Sequence, residues 1–203
     1  MRSTLWRLMA LALALTMALG VAACGGDDEG GSGADSEGTQ AARTGGTANS
    51  ALTSYPDYMD PAPSYTQEGW QALWTVYTPL LSYKHEEGAG GAQLIPGLAE
   101  ALPEVSDDGL TYTLTLRKGL KFSDGTDVKA SDFGHTIKRV LNLESGAPAS
   151  YLGIEGAEEY VEAGKPRGDI SGITTDDETG EISIKLTEAD GSFPYVLAMD
   201  FAG

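Results

Sequence analysis

Two stretches of the chain repeat their apolar residues with the period of a helix. Within residues 65–81 these residues recur at spacings of three and four, which predicts a helix buried along one face: Trp70, Leu73, Trp74, Tyr77, Leu80 and Leu81. A second helix is predicted to begin at Ser131 as its N-cap and to end near Asn142, with an apolar face of Phe133, Ile137, Val140 and Leu141. Residues 155–163 predict a third, shorter helix.

Alternation of apolar and polar residues predicts strands elsewhere. Every second residue of 110–116 is apolar, so this segment reads as a half-buried strand that follows a turn at 107–109. Residues 120–122 predict a further extended piece that stops at the turn 123–125. Residues 170–175 and 181–187 predict an antiparallel hairpin joined by the acidic turn 176–180. Helices interspersed with hairpins indicate an α+β fold.

The N-terminus has the layout of a signal peptide. Arg2 and Arg7 precede an apolar run over residues 8–19, and small residues then lead directly to Cys24. The run is shorter than the roughly 20 residues that a membrane-spanning helix needs. The site resembles a bacterial lipobox, which predicts cleavage of residues 1–23 and lipidation of Cys24. The alternative is an ordinary secreted protein with a chance cysteine at its cleavage site.

Residues 24–46 predict a flexible tether. The segment is rich in glycine and acidic residues and almost free of large apolar ones, so it cannot bury enough surface to offset the entropy of ordering. We therefore expect an extracytoplasmic domain attached to the cell membrane by a lipid anchor, with its folded part beginning at residue 47.

Composition excludes several classes of function. The 203 residues carry 30 Asp and Glu against 13 Lys and Arg, a formal charge of −17, which disfavours a nucleic-acid partner. One cysteine cannot form an intrachain disulfide, and two histidines are too few for a Cys/His zinc site. No metal site and no cofactor are predicted.

Candidate catalytic groups are weak. His85 reads as a loop residue and His135 as a solvated residue on the second helix. The acidic cluster at 176–181 lacks the ligand spacing of a calcium loop and reads as a hairpin turn. The glycines at 88–91 lack the ending of a phosphate-binding loop. The chain is therefore not predicted to be an enzyme.

Residues 94–140 carry a more specific pattern. It comprises Pro-Gly-Leu-Ala-Glu at 96–100, Asp-Asp-Gly-Leu-Thr-Tyr-Thr-Leu-Thr-Leu-Arg-Lys-Gly-Leu-Lys-Phe-Ser-Asp-Gly at 107–125, Val-Lys-Ala-Ser-Asp-Phe at 128–133, and Arg139. Met-Asp-Pro at 59–61 and the segments 149–152 and 164–186 agree with it. The pattern closely resembles the family 5 extracellular solute-binding proteins, the peptide and nickel receptors of ABC importers, over essentially all of residues 47–203.

The resemblance implies a fold like the type II periplasmic binding proteins, of the dipeptide- or oligopeptide-binding type, with only part of the first lobe present. Residues 47–77 would be the first segment of the main lobe. Residues 78–203 would be an α+β subdomain, truncated before the second lobe. The chain is thus expected to be an N-terminal fragment of such a receptor.

The resemblance also implies a function. Carried over, the family's ligand contacts fall on Tyr65, Thr66 and Gln67, and around Pro148 and Tyr151; where oligopeptide receptors have an aromatic residue, this chain has Pro148. Tyr65 and Tyr151 could instead simply cover the core. The implied protein is a monomeric lipoprotein that captures a peptide or similar small solute and delivers it to ABC permease subunits. The alternatives are a truncated, non-transporting surface lipoprotein or interaction module, and a secreted hydrolase.

Overall fold

A four-stranded antiparallel sheet forms the centre of the fold. The computed structural model describes residues 45–47, 49–143, 148–163 and 168–202. In chain order the strands of this sheet are β3 (Glu104–Val105), β4 (Thr111–Thr115), β5 (Ile173–Asp176) and β6 (Glu181–Lys185). Their spatial order is β3-β4-β6-β5. The predicted strand at 110–116 and the predicted hairpin at 170–187 therefore lie side by side in one sheet.

The register of the central pair matches the predicted alternation. Tyr112 lies opposite Ile184, and Leu114 lies opposite Ile182. All four side chains are buried, whereas Thr111, Thr113 and Thr115 are only partly covered. The period-2 pattern of the sequence is thus confirmed, because one face of these strands packs into the core and the other does not.

Two helices pack against this sheet. The longer one, α2 (Ala130–Asn142), places Phe133, Ile137 and Val140 in the core and contacts β5 and β6. The shorter one, α3 (Ala157–Glu162), buries Tyr160, whose hydroxyl accepts a hydrogen bond of 3.0 Å from the Asn142 side chain. Both helices are confirmed as predicted, with shifts of one or two residues at their ends.

The predicted N-cap of α2 is wrong. The capping position is Lys129, whose backbone N–H donates to the Asp132 carboxylate at 2.8 Å. Ser131 lies inside the first turn, and its N–H and hydroxyl both donate to the Asp177 carboxylate, at 2.8 and 3.0 Å. The acidic hairpin turn therefore provides the acceptor for the Ser131 N–H, one of the N–H groups that a local cap would have satisfied.

The first predicted helix is much shorter than its apolar pattern. Helix α1 is Gln67–Leu73, and the chain then turns, with the Leu73 carbonyl accepting from the N–H groups of Val76 and Tyr77. Leu80 and Leu81 are buried, but Leu81 begins a strand. The spacing of Leu80 and Leu81 continues the helical period of the sequence, but the backbone is no longer helical there, and Pro79 precedes them.

A second, two-stranded sheet follows α1. It pairs β1 (Leu81–Tyr83) with β2 (Leu94–Pro96), and the 3-10 turn Gly88–Ala92 connects them. The extended piece predicted at 120–122 is not a strand, because only an isolated bridge between Lys121 and Asp127 forms around the turn at Gly125. None of the described helices has the length and the hydropathy of a membrane-spanning segment.

The end of the chain returns to β1. Helix α4 (Phe193–Val196) is followed by the 3-10 turn Asp200–Ala202, and the Leu81 N–H donates to the Leu197 carbonyl at 3.1 Å. Phe201 is buried. Residues from 49 onward form one compact unit, and its core includes Ala62 and Leu73 from the segment before β1.

Candidate functional site

Three predicted ligand-binding residues are consecutive at the junction of a loop with α1. Tyr65 is 58% exposed, Gln67 is exposed, and Thr66 is the N-cap of α1, with its hydroxyl oxygen accepting from the Gly69 N–H at 3.2 Å. We call Tyr65, Thr66 and Gln67 the candidate edge. Its backbone is held by the helix cap, while two of its three side chains are open to solvent.

Aromatic packing holds the Tyr65 ring in place. It stacks on Phe201, with centroids 6.1 Å apart and planes 13° apart, and meets Trp70 edge-on at 5.7 Å. Trp70 and Phe201 also pack edge to face at 5.3 Å, and the Trp70 indole N–H donates to the Ser64 carbonyl at 3.1 Å. Tyr65 is therefore an aromatic side chain that is held by two neighbouring rings and still exposes more than half of its surface.

A single carboxylate organises the loop before the edge. Asp57 Oδ2 accepts from the Tyr65 N–H at 2.7 Å. Asp57 Oδ1 accepts from the Tyr58 N–H at 2.9 Å and from the hydroxyls of Ser64 and Thr66 at 2.8 and 2.9 Å. Burial alone would raise the pKa of the Asp57 carboxyl, but these hydrogen bonds outweigh it and hold that pKa far below its ordinary value.

A second carboxylate ties the same loop to the main sheet's helix. Asp60 forms a two-pronged ion pair with the Arg139 guanidinium on α2, and one of its hydrogen bonds measures 2.8 Å. The hydrogen bond from Arg139 lowers the pKa of the Asp60 carboxyl. Asp60 and Arg139 both belong to the sequence pattern that carries the family resemblance, and in the structure they form an ion pair. The sequence analysis did not predict this pair.

An open groove of about 400 Å³ begins at Gln67 and follows one face of α1. Its walls combine aromatic rings, amides and one carboxyl, from Gln67, Trp70, Gln71, Trp74, Pro79, Ser82, Tyr83, Ala198, Met199 and Asp200. Most of this wall is apolar, and the polar groups are few. This composition is typical of pockets that bind small molecules with an apolar body and a few polar groups.

Asp200 is the acidic group of the groove. Its carboxyl is half-buried, and burial raises its pKa from the ordinary 3.8 to about 6. Among the described residues it makes no hydrogen bond or ion pair. Asp200 is therefore a carboxyl with a raised pKa in the wall of the same groove as Trp70 and Trp74.

Tyr151 does not join the candidate edge. Its side chain is fully buried, its hydroxyl has no hydrogen-bond partner among the described residues, and burial raises the pKa of that hydroxyl. In this conformation it covers the core, so contact with a solute would require its ring to leave the core. Pro148 begins the 3-10 turn Pro148–Ser150 just before it. Cys24 lies outside the described residues.

The histidines and the acidic turn occupy surface positions. His135 is exposed on α2, and exposed His85 packs against Trp74 with ring centroids 5.9 Å apart. The turn 176–180 is the predicted hairpin turn, in which Asp176 accepts from the N–H groups of the two residues after Asp177. Within residues 49–143, 148–163 and 168–202, no three Asp, Glu, His or Cys side chains are grouped to hold a metal ion.

The comparisons with known proteins identify related chains. The family model of bacterial extracellular solute-binding proteins, family 5 middle, matches residues 93–202. The dipeptide-binding protein DppE of Bacillus subtilis is 32% identical over 137 residues, which span 66% of this chain and 24% of that protein. The dipeptide-binding protein of Escherichia coli is 36% identical over 135 residues, which span 63% of this chain and 23% of that protein.

Solved structures of peptide-binding proteins share the fold. The solved structure of clavulanic acid biosynthesis oligopeptide binding protein 2 aligns with a TM-score of 0.67 at 29% identity, over 73% of this chain and 28% of the other. The chain thus spans about a quarter of the length of the curated relatives that it matches.

Proposed function

The chain belongs to family 5 of the bacterial extracellular solute-binding proteins, and we propose that it serves the capture of peptides outside the membrane for an ABC importer. Its α+β fold is that of the type II periplasmic binding proteins and comprises part of one lobe. Relatives named for dipeptide and oligopeptide binding support a peptide as the solute. In this proposal the chain binds its solute without transforming it.

One observation from the structure supports this function above the others. The candidate edge combines a fixed, exposed aromatic ring at Tyr65 with an exposed amide at Gln67, and Gln67 opens onto the apolar groove. The backbone amide groups of a peptide can contact the candidate edge, and its apolar side chains can enter the groove. We assign peptide contact to Tyr65, Thr66 and Gln67, with Tyr151 as a contact that forms only if its ring leaves the core.

The remaining parts of the proposal concern location and partners. Cleavage before Cys24 and lipidation of that residue would fasten the protein to the outer face of the membrane through a Gly-rich tether at 24–46. The protein would act as a monomer and pass its solute to permease subunits. The family's description as extracellular agrees with this location.

Calorimetry of the full chain in detergent tests solute binding. We expect heat of binding with dialanine and trialanine and none with free alanine. Tyr65→Ala should weaken peptide binding, whereas Tyr55→Ala should not, because Tyr55 is 93% exposed and stacks on no other ring among the described residues. Equal effects of the two substitutions, or no heat with either peptide, would favour the non-transporting surface lipoprotein instead.

Metabolic labelling tests the anchor. Cells that express the full chain and are grown with an alkyne-bearing fatty acid should yield a labelled protein that begins at Cys24. The Cys24→Ala variant should carry no label. A secreted, unlabelled product cleaved at the same site would contradict lipidation, and only the prediction of a signal peptide would then stand.

A further inference from the structure

One residue outside the sequence-predicted site controls the backbone of the candidate edge. Four donors converge on the Asp57 carboxylate, and two of them, the Tyr65 N–H and the Thr66 hydroxyl, belong to the edge itself. The Asp57 N–H donates in return to Thr66 Oγ1 at 3.4 Å. Asp57 and Thr66 are therefore joined in both directions across nine residues of loop.

The Asp57 carboxylate belongs to an exposed residue, but the side that faces α1 is closely packed. Ser64, which donates to Asp57, is fully buried. A Cβ at Gly69 would lie 2.2 Å from Ser64 Oγ and 2.6 Å from Asp57 Oδ1. The first turn of α1 thus approaches the carboxylate so closely that a side chain at position 69 would not fit without a shift of the loop or the helix.

We propose that Asp57 is the positioning residue of the candidate edge: its carboxylate gathers the four donors and thereby fixes where Tyr65 and Gln67 meet the solute. This inference rests on the proposed function, because it gives Asp57 a role in peptide binding at that edge. Asp57 itself need not touch the peptide. It acts through the Tyr65 N–H and through the Thr66 hydroxyl that caps α1.

The chemistry requires a carboxylate at this position. An ionised carboxyl group accepts at both oxygens, and all four groups that face Asp57 are donors. An asparagine in its place has one oxygen and one NH₂ group. If its oxygen keeps the three partners of Oδ1, its NH₂ must face the Tyr65 N–H, so a donor is set against a donor.

Asp57→Asn therefore tests the proposal, and Asp124→Asn is the matched control. Asp124 is also a turn carboxylate that accepts hydrogen bonds, from the Thr126 N–H at 2.9 Å and its hydroxyl at 2.7 Å, but it lies on the turn after Phe122. Two readouts are taken on the full chain in detergent. The first is the NMR signal of the Trp70 indole N–H without peptide, and the second is the dissociation constant for dialanine.

We expect Asp57→Asn to shift the Trp70 signal, because that N–H donates to Ser64, and to weaken dialanine binding by about tenfold or more, as for loss of a charge-assisted hydrogen bond. Asp124→Asn should change neither. A folded Asp57→Asn protein that binds dialanine as tightly as the Asp124→Asn control would overturn the proposal.

Two further variants keep the test decisive if Asp57→Asn does not fold. Ser64→Ala removes one of the four donors to Asp57 without changing the candidate edge and should weaken dialanine binding, whereas Ser106→Ala, which removes the hydroxyl that donates to Asp108 at 2.6 Å, should bind dialanine normally; equal binding by the two would overturn the proposal. If the unsubstituted chain binds no dialanine, the proposed function fails for that peptide. The Trp70 signal then still decides whether Asp57 fixes the edge.

Discussion

Replacement of Asp200 by asparagine should stabilise the protein at neutral pH. The Asp200 carboxyl is half-buried in the groove beside α1, and burial raises its pKa from 3.8 to about 6. Above about pH 6 the folded protein must hold this group as a carboxylate without a partner among the described residues. Asparagine has nearly the same shape and no charge, so Asp200→Asn removes the cost of that desolvated charge.

The sign and the size follow from the two pKa values. Between pH 3.8 and about 6 the folded state binds a proton at Asp200 that the unfolded state has released, so the free energy of unfolding falls as the pH rises. A rise from 3.8 to about 6 corresponds to about 3 kcal/mol at about 1.36 kcal/mol per pH unit. Because the side chain is half exposed, solvent screening reduces this to about 1.5 kcal/mol.

Urea unfolding followed by tryptophan fluorescence measures the effect. The free energy of unfolding of Asp200→Asn should exceed that of the unsubstituted protein by about 1.5 kcal/mol near pH 8. The difference should shrink progressively below pH 6 and vanish below about pH 3.8. Tyr83, the other titratable residue of the groove, does not titrate in this range, because burial raises its pKa above the ordinary 10.

Asp124→Asn is the control with the opposite sign, because hydrogen bonds from Thr126 lower the pKa of the Asp124 carboxyl. The hydrogen-bonded Asp124 carboxylate stabilises the fold above pH 3.8, and this stabilisation is lost as the pH falls through the lowered pKa. Asp124→Asn should therefore destabilise at neutral pH. If Asp200→Asn gives a difference that does not change with pH, or destabilises the protein near pH 8, the reasoning about burial is refuted.

Three other substitutions and one control test the packing and the start of α2. Gly69→Ala should destabilise by about 1–3 kcal/mol in urea unfolding, because its Cβ would lie 2.2 Å from Ser64 Oγ; an unchanged midpoint would mean that the loop moves freely. Ile182→Ala should cost about 2–5 kcal/mol at a fully buried site, whereas Val161→Ala, 40% exposed, should stay within about 0.5 kcal/mol. Asp177→Ala should lower the thermal midpoint, since it removes the acceptor at the start of α2 at a cost of about 1 kcal/mol.

Periodicity was sufficient where packing on one face decides the structure. The alternation at Tyr112 and Leu114 predicted a strand with one buried side, and the hairpin around Ile182 was predicted in the same way. The apolar face of α2 was also correct, because its helix is long enough to show several turns of the repeat. For these elements the sequence contains the whole signal, since the core lies on one side of each.

Local sequence signals gave wrong predictions at two places where a contact from a distant part of the chain determines the structure. Leu80 and Leu81 continue the helical period of α1, but they pack as part of a strand whose partner residues come from β2 and from Leu197. Ser131 is a good N-cap by type, yet Asp177, which comes 46 residues later, binds it from outside the helix. Neither contact can be read from the residues that surround the element itself.

The candidate edge combines both situations, and this explains why its residues were predicted while their supports were not. Tyr65, Thr66 and Gln67 followed from the resemblance, but the ring of Tyr65 rests on Phe201, which lies at the other end of the folded unit. Asp57 supports the edge locally through hydrogen bonds that span at most nine residues. The local support can form with the loop and α1, whereas the stacking on Phe201 requires the chain to have returned past Leu197 to β1. The stacking of Tyr65 on Phe201 therefore forms only when residues 197–201 have packed against the segment around α1 and β1.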